Sequence, residues 1–260
     1  MRSLIASAAL LLAVACSGSN HTAAPTSTTS ATTTTMPTMT TTSTITSVPA
    51  TTAPSPAGAG CRSPKGAVPA GVAARSVPDV DDDGRTDQAF FNGVTADGSR
   101  RFVIVTAAGG RAEADLQSAS PVAATALVVN ADERGSVEIL ISDNRTVSLF
   151  AFVDCTITMV KNAQGAQYQF DLGFRGTGTG VGCAASTSGR QLVGLNVTGD
   201  DGTTVHWKRT VITVSGTSAR NGATTTGSFT RPRDDAAIAL LSTVSCGDRT
   251  MAADGVSEPL

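Results

Sequence analysis

The chain has 260 residues, of which 40% are hydrophobic and 15% are charged, a composition typical of a globular protein. Its 19 Lys and Arg and 21 Asp and Glu residues give a formal net charge of −2 at pH 7. A protein that binds nucleic acid through its surface charge needs an excess of basic side chains. We therefore expect no nucleic-acid partner.

Residues 1–15 have the pattern of an export signal. One basic residue, Arg2, precedes an apolar stretch that runs from Leu4 to Ala15. A helix that crosses a bilayer needs about 20 apolar residues, so this stretch is too short for a membrane span. It predicts a leader that is removed on export.

Cys16 directly follows the predicted leader. The sequence Ala13-Val14-Ala15-Cys16 resembles the bacterial lipobox. The resemblance implies cleavage before Cys16, lipid attachment to this cysteine and anchoring at the outer face of the cytoplasmic membrane. The same residues also fit the A-x-A-like cleavage site of an ordinary secretory signal. Such a signal has no need of a cysteine at this position, which favours the lipoprotein.

Residues 16–60 form a Thr/Ser/Pro-rich tract without a single Asp, Glu, Lys or Arg. The tract has few large apolar side chains, and their burial cannot offset a loss of backbone entropy of about 1–2 kcal/mol per residue. We therefore predict an extended, disordered linker. One β-rich domain is expected to follow it, over residues 61–260.

Three segments of this domain align on a glycine within a polar loop: Asp79–Asp87, Asn130–Glu138 and Ala184–Leu192. The first segment, DVDDDGRTD, is the most acidic, and the third retains only the glycine and the polar character. Short apolar segments separated by polar turns follow each loop, as in a β-meander. This pattern predicts a domain that is nearly all β.

The first loop resembles the D-x-D-x-D-G-x-x-D calcium loops of FG-GAP or VCBS-type repeats, the blade units of integrin-like β-propellers. The resemblance extends over about residues 75–215 and is weaker in the second and third loops. It implies a propeller-like domain or an open stack of about three to four β-meander blades. A β-sandwich is the alternative, because three repeats do not readily close a ring.

The first loop also has the composition of a calcium site. Ca²⁺ binds about six to eight oxygen ligands, and four carboxylates with one backbone carbonyl supply most of them. The predicted ligands are the side chains of Asp79, Asp81, Asp83 and Asp87 and the carbonyl oxygen of Arg85. The alternative is an acidic, solvated turn without a metal, although four carboxylates this close repel one another in the absence of a cation.

The second and third loops lack this ligand set. In the second loop Arg134 stands where Asp83 stands in the first. Its guanidinium is predicted to take the place of a cation by pairing with Asp132 and Glu138. The third loop has almost no acidic residues, and we expect a metal in neither of the two.

Four cysteines lie in the predicted domain, and disulfides are expected in an exported protein. Four cysteines allow three pairings. We expect Cys155 to pair with Cys183, connecting the second and third repeats, and Cys61 to pair with Cys246, joining the two ends of the domain. A zinc site is the alternative, but no two of these cysteines have the C-x₂₋₄-C spacing of zinc ligands.

Catalytic motifs are absent from the sequence, which has no G-x-S-x-G, phosphate-loop or H-E-x-x-H pattern. We therefore predict a non-enzymatic envelope lipoprotein. Its calcium-stabilised β-repeat domain would be a binding or structural module for an envelope or extracellular protein or glycan. The alternative is a secreted or anchored hydrolase that uses calcium and carboxylates. A pocket that joins His206 to Asp200 or Asp201 would favour the hydrolase.

Overall fold

The computed structural model describes residues 58–173, 178–187 and 189–259. The predicted leader, Cys16 and most of the predicted linker lie outside the described residues. Within those ranges, no helix combines the length and the apolar character needed to cross a membrane. The structure there is all-β, as predicted, and consists of several antiparallel sheets.

The first sheet is a four-stranded antiparallel meander whose strands are neighbours in chain order. Its strands are β1 (Arg75–Val77), β2 (Asp87–Val94), β3 (Arg100–Val105) and β4 (Arg111–Leu116). β4 has the alternation expected of a strand with one buried face. Ala112, Ala114 and Leu116 are buried, and the charged residues between them are not.

The second sheet is antiparallel and contains strands that follow one another along the chain. Its strands are β5 (Thr125–Val129), β6 (Val137–Ser142), β7 (Thr146–Val153), β8 (Thr156–Met159) and β9 (Gln169–Asp171), which pairs with β7. β6 is buried along its whole length, and β7 is buried except at its two ends. Their nearly continuous apolar sequences are those of strands covered on both faces.

The third sheet is a meander of longer strands, followed by short elements. Its strands are β10 (Thr179–Ser186), β11 (Gly189–Asp200), β12 (Thr204–Ser215) and β13 (Ser218–Thr230). Then follow α1 (Asp235–Leu240), β14 (Ser245–Cys246), β15 (Arg249–Thr250), α2 (Met251–Asp254) and β16 (Val256–Ser257). β16 pairs with β5, so the chain returns at its end to the second sheet.

Two apolar clusters show that the second sheet lies between the first and the third. In β5, Ala126 and Val128 belong to a cluster that also contains Phe91 of β2. Leu127, between them, belongs to a second cluster with Leu192 of β11. Because neighbouring residues of a strand point to opposite faces, each face of the second sheet packs on a different sheet. The architecture is therefore a stack of three sheets in chain order.

The predicted disulfide pairing is wrong. Cys61 pairs with Cys155, with Cα atoms 5.5 Å apart, and Cys183 pairs with Cys246, with Cα atoms 4.7 Å apart. The expected pairing assumed that the two ends of the domain meet. Instead, the first bond joins the residues before the first sheet to the turn after β7, and the second joins β10 to β14, which lies beside it.

A buried ion pair fastens the C-terminal strand to the body of the protein. Arg100 of β3 and Glu258 are 7% and 8% exposed, and their side chains approach to 3.4 Å. The Arg100 guanidinium also donates to the carbonyls of Ser120 and Val122, and Glu258 accepts the N–H of Ala124 at 3.0 Å. These contacts satisfy both buried charges, as burial of an ion pair requires.

Loss of this pair is expected to destabilise the fold. Arg100→Ala leaves the Glu258 carboxylate buried without its counter-charge and should lower the free energy of unfolding by about 3–5 kcal/mol. The measurement is denaturant unfolding of the disulfide-intact protein. Arg101→Ala is the matched control, since the pairs of Arg101 with Glu113 and Asp115 are exposed and contribute little. Equal losses for the two variants would contradict this account.

Candidate metal centre

Three carboxylates of the first acidic loop converge in front of β2. One oxygen from each of Asp79, Asp81 and Asp87 lies within 4.8 Å of the other two. Asp87, the first residue of β2, is only 1% exposed, and Asp79 and Asp81 are partly buried. The sequence predicted all three as ligands, and the structure confirms that they form a group that could hold a metal ion.

Backbone hydrogen bonds to these carboxylates give the loop its shape. Asp79 accepts the N–H groups of Asp81 and Asp83 at 3.2 Å and that of Gly84 at 2.6 Å. The chain can curl around Asp79 in this way because Gly84 has a left-handed backbone, with φ of 83°, which glycine adopts without steric cost. The side chain of Asp79 is thereby held inside the loop.

Asp87 closes the loop from the other end. Its carboxylate accepts the N–H of Val80 at 2.7 Å and that of Ala107 at 2.7 Å. Burial raises the pKa of Asp87 to about 6; these two N–H groups oppose the rise, and the charges of Asp81 and Asp79 add to it. A nearby cation would remove the cost of ionising this group.

The two oxygens of the Asp81 carboxylate have different surroundings. Its Oδ2 accepts the N–H of Cys61 at 2.5 Å, whereas its Oδ1 is buried and has no hydrogen-bond partner among the described residues. Burial, as the largest cause, raises the pKa of Asp81, and the charges of Asp83 and Asp79 raise it further. A buried carboxylate oxygen without a partner is costly unless a ligand contacts it. Carboxylate oxygens are the ligands of hard divalent cations such as Ca²⁺.

The predicted ligands Asp83 and Arg85 are engaged with each other. The Asp83 carboxylate accepts the N–H of Arg85 at 2.9 Å and the guanidinium Nη2 and Nε atoms at 2.6 and 3.1 Å. These bonds to Arg85 are the main reason that the pKa of Asp83 lies below its usual range. The structure therefore places Asp83 in a salt bridge outside the group formed by the other three aspartates.

The second loop repeats the backbone of the first. Glu138, the second residue of β6, accepts the N–H of Ala131 at 3.0 Å, as Asp87 accepts that of Val80. The backbone is left-handed at the same two positions of each loop, Asp82 and Gly84 in the first and Glu133 and Gly135 in the second. The two aligned loops therefore share these backbone conformations and this hydrogen bond.

A second arginine, which the sequence analysis did not consider, also approaches the second loop. Arg190 of β11 donates to the carbonyl of Asn130 at 2.8 Å and lies 3.3 Å from the carboxylate of Glu133. Arg134 is exposed, and its backbone N–H donates to Asp132. Sequence reasoning missed Arg190 because it lies in the third aligned segment, far along the chain.

The third aligned segment is a hairpin and lacks the loop geometry of the other two. Ser186 and Gly189 pair across the turn that connects β10 and β11. The aligned glycine nevertheless has an equivalent neighbour. A Cβ on Gly189 would lie 3.2 Å from the carbonyl of Asp132, and a Cβ on Gly135 would lie 3.5 Å from the carboxylate of Asp82. Gly135 and Gly189 thus each lie close to the loop before them. Only the first two aligned segments share the loop geometry.

The acidic pair near His206 is part of a turn. Asp201 accepts the N–H groups of Thr203 and Thr204, and Asp200 pairs with Arg231 at 2.6 Å. His206 is exposed on β12, and among the described residues no hydrogen bond joins it to either carboxylate.

Comparisons of the chain with protein-family models, with curated proteins and with solved structures find no match. The resemblance to FG-GAP or VCBS-type repeats therefore rests on the loops and strands of this chain alone.

The salt bridge between Arg85 and Asp83 is expected to weaken cation binding. Arg85→Ala frees the Asp83 carboxylate to act as a fourth ligand and removes a nearby positive charge, so the calcium affinity should rise by about tenfold. Isothermal titration calorimetry measures this change. Arg62→Ala is the control, since Arg62 also acts on Asp83 through its charge but donates its hydrogen bond to Ala59. An equal gain in both variants would show that charge alone matters.

Proposed function

We propose that this protein is an exported envelope lipoprotein whose β domain is stabilised by one calcium ion and serves as a binding or structural module. The observation that carries the calcium proposal is the group of Asp79, Asp81 and Asp87, together with the unpartnered Oδ1 of Asp81. Three carboxylates in partly dry surroundings repel one another unless a cation joins them.

Calcium is the divalent cation that fits this site best. Mg²⁺ demands nearly ideal octahedral geometry and keeps several of its waters, whereas Ca²⁺ tolerates irregular sets of oxygen ligands. The three carboxylates come from a loop whose backbone hydrogen bonds already fix their positions. Sites with few charged ligands in extracellular modules bind calcium with dissociation constants of about 10⁻⁴–10⁻³ M, and we expect a value in this range.

Two disulfides support a location outside the cytoplasm. Cys61–Cys155 and Cys183–Cys246 are both within bonding distance, and such bonds persist in oxidising environments. Anchoring through a lipid on Cys16 is the further part of the proposal, which places the domain in the cell wall or the extracellular space.

The partner in this proposal is an envelope or extracellular protein or glycan. The third sheet supports a surface role, because nearly every residue of β13 between Arg220 and Thr226 is exposed. Trp207 of β12 and Phe229 of β13 are neighbours on this sheet, and their ring centroids lie 5.6 Å apart. They lie beside a shallow recess that also contains His206. Aromatic rings flanked by polar groups are frequent in binding surfaces.

Calcium is expected to raise the melting temperature of the protein. At a calcium concentration about 30 times the dissociation constant, mass action adds about 2 kcal/mol, which corresponds to a rise of about 4–8 °C for a domain of this size. Differential scanning calorimetry in calcium and in chelator measures the shift. Asp81→Asn should abolish it, whereas Asp132→Asn, at the equivalent position of the second loop, should retain it. If the melting temperature of the wild type is the same in calcium and in chelator, the proposed metal site is wrong.

Lipid anchoring has a separate test. The mature protein is purified from a bacterial membrane fraction, and its N-terminal peptide is analysed by mass spectrometry. The expected N-terminus is Cys16 carrying covalently attached acyl chains, and Cys16→Ser should shift the protein to the soluble fraction. An unmodified N-terminal residue, or a Cys16→Ser protein that stays in the membrane fraction, would contradict the anchor.

A further inference from the structure

A short segment before the first sheet lies directly on the acidic loop. We call residues Gly58–Cys61 the junction segment, because the predicted linker ends here and the predicted domain begins. The N–H of Gly58 donates to the carbonyl of Asp82 at 2.7 Å, and the N–H of Cys61 donates to the carboxylate of Asp81 at 2.5 Å. Both of these N–H groups therefore donate to the loop that carries the candidate metal centre, while the carbonyl of Cys61 accepts the hydroxyl of Thr106.

The junction segment also packs closely against the acidic loop. Gly60 has a left-handed backbone with φ of 65°, and a Cβ at this position would lie 2.9 Å from the Oδ2 atom of Asp83 and 2.8 Å from the Cβ of Ala108. Real Cβ atoms do not approach other atoms so closely. The junction segment can lie against the loop in this way only because residue 60 is glycine.

Asp81 connects the junction segment to the metal centre through its two oxygens. Oδ2 holds the N–H of Cys61, and Oδ1 is buried and has no partner among the described residues. Oδ1 is therefore the oxygen available to a cation, next to the carboxylates of Asp79 and Asp87. One carboxylate is placed to bind both the ion and the backbone of the junction segment.

We propose that the cation and the junction segment bind the acidic loop cooperatively through Asp81, so that cation binding fastens Gly58–Cys61 to the β domain. This inference rests on the proposed metal site. A cation that contacts Oδ1, together with the carboxylates of Asp79 and Asp87, fixes the orientation of the Asp81 side chain. Oδ2 is then held in position to accept the N–H of Cys61.

The coupling is reciprocal, because two ligands that favour the same arrangement raise each other's affinity by the same factor. Docking of the junction segment must therefore tighten cation binding, although neither Gly58 nor Gly60 carries a ligand. The Cys61–Cys155 disulfide retains the side chain of Cys61 near the turn after β7 in both states. The effect is thus confined to the backbone of the junction segment, where amide exchange reports it.

The first test is hydrogen exchange of the full chain with both disulfides intact, in calcium and in chelator, with reduction only at the quench step. Calcium is expected to slow exchange of the Gly58 and Cys61 amides by about tenfold, within the range of common coupling factors. Asp81→Asn should abolish this difference. Asp132→Asn, the equivalent change in the second loop, should preserve it.

The second test uses a residue outside the metal centre. Gly60→Ala introduces a Cβ that collides with the loop, and calorimetry should show a calcium affinity about tenfold weaker. Gly71→Ala is the matched control, because Gly71 has a similar φ of 81° with nothing within 4 Å of the added Cβ. Its calcium affinity should equal that of the wild type.

The possible results separate the inference from the proposed function. Calcium binding without a change in exchange at Gly58–Cys61, or with equal affinities for Gly60→Ala and Gly71→Ala, overturns the coupling and leaves the metal site intact. No calcium binding by the wild type overturns both. Slowed exchange in the wild type, lost in Asp81→Asn and accompanied by weaker binding in Gly60→Ala, supports the coupling.

Discussion

A hydrogen bond between a carboxylate in the first two residues of a strand and an amide seven positions earlier closes both acidic loops of this protein. In the first loop Asp87 accepts the N–H of Val80, and in the second Glu138 accepts that of Ala131. Each bond holds an acidic side chain at the end of a sheet. The side chain is buried from water there, and its ionisation is unfavourable. Burial raises the pKa of Asp87 to about 6 and that of Glu138 to about 7. A neighbouring positive charge relieves this cost at either site.

The guanidinium groups near the two loops have different partners. In the second loop Arg190 arrives from the third sheet and contacts Asn130 and Glu133. The first loop has three converging carboxylates, and the guanidinium of its own Arg85 is bound to Asp83. Arg190 can reach the second loop because the third sheet packs on the second. In the proposed account, a cation bound at the first loop would supply the positive charge that relieves the burial of Asp87.

Local features of this fold could be predicted from the sequence, and features that depend on tertiary packing could not. The glycines at 84 and 135 and the acidic residues around them marked two loops that the structure repeats. The sequence did not predict the salt bridge between Asp83 and Arg85, because both residues were interpreted as ligands of the cation. The disulfide pairing and the position of Arg190 depend on which sheets are neighbours, and no local pattern encodes that order.

The most direct test of this account is a crystal structure of the protein grown with calcium, in which anomalous scattering locates the ion. The account predicts an anomalous peak at the first loop, bonded to one oxygen each of Asp79, Asp81 and Asp87 at about 2.3–2.6 Å. It also predicts that Oδ1 of Asp81 is the oxygen used and that Oδ2 still accepts the N–H of Cys61. A water molecule at this position, or a calcium ion bound elsewhere, would contradict it.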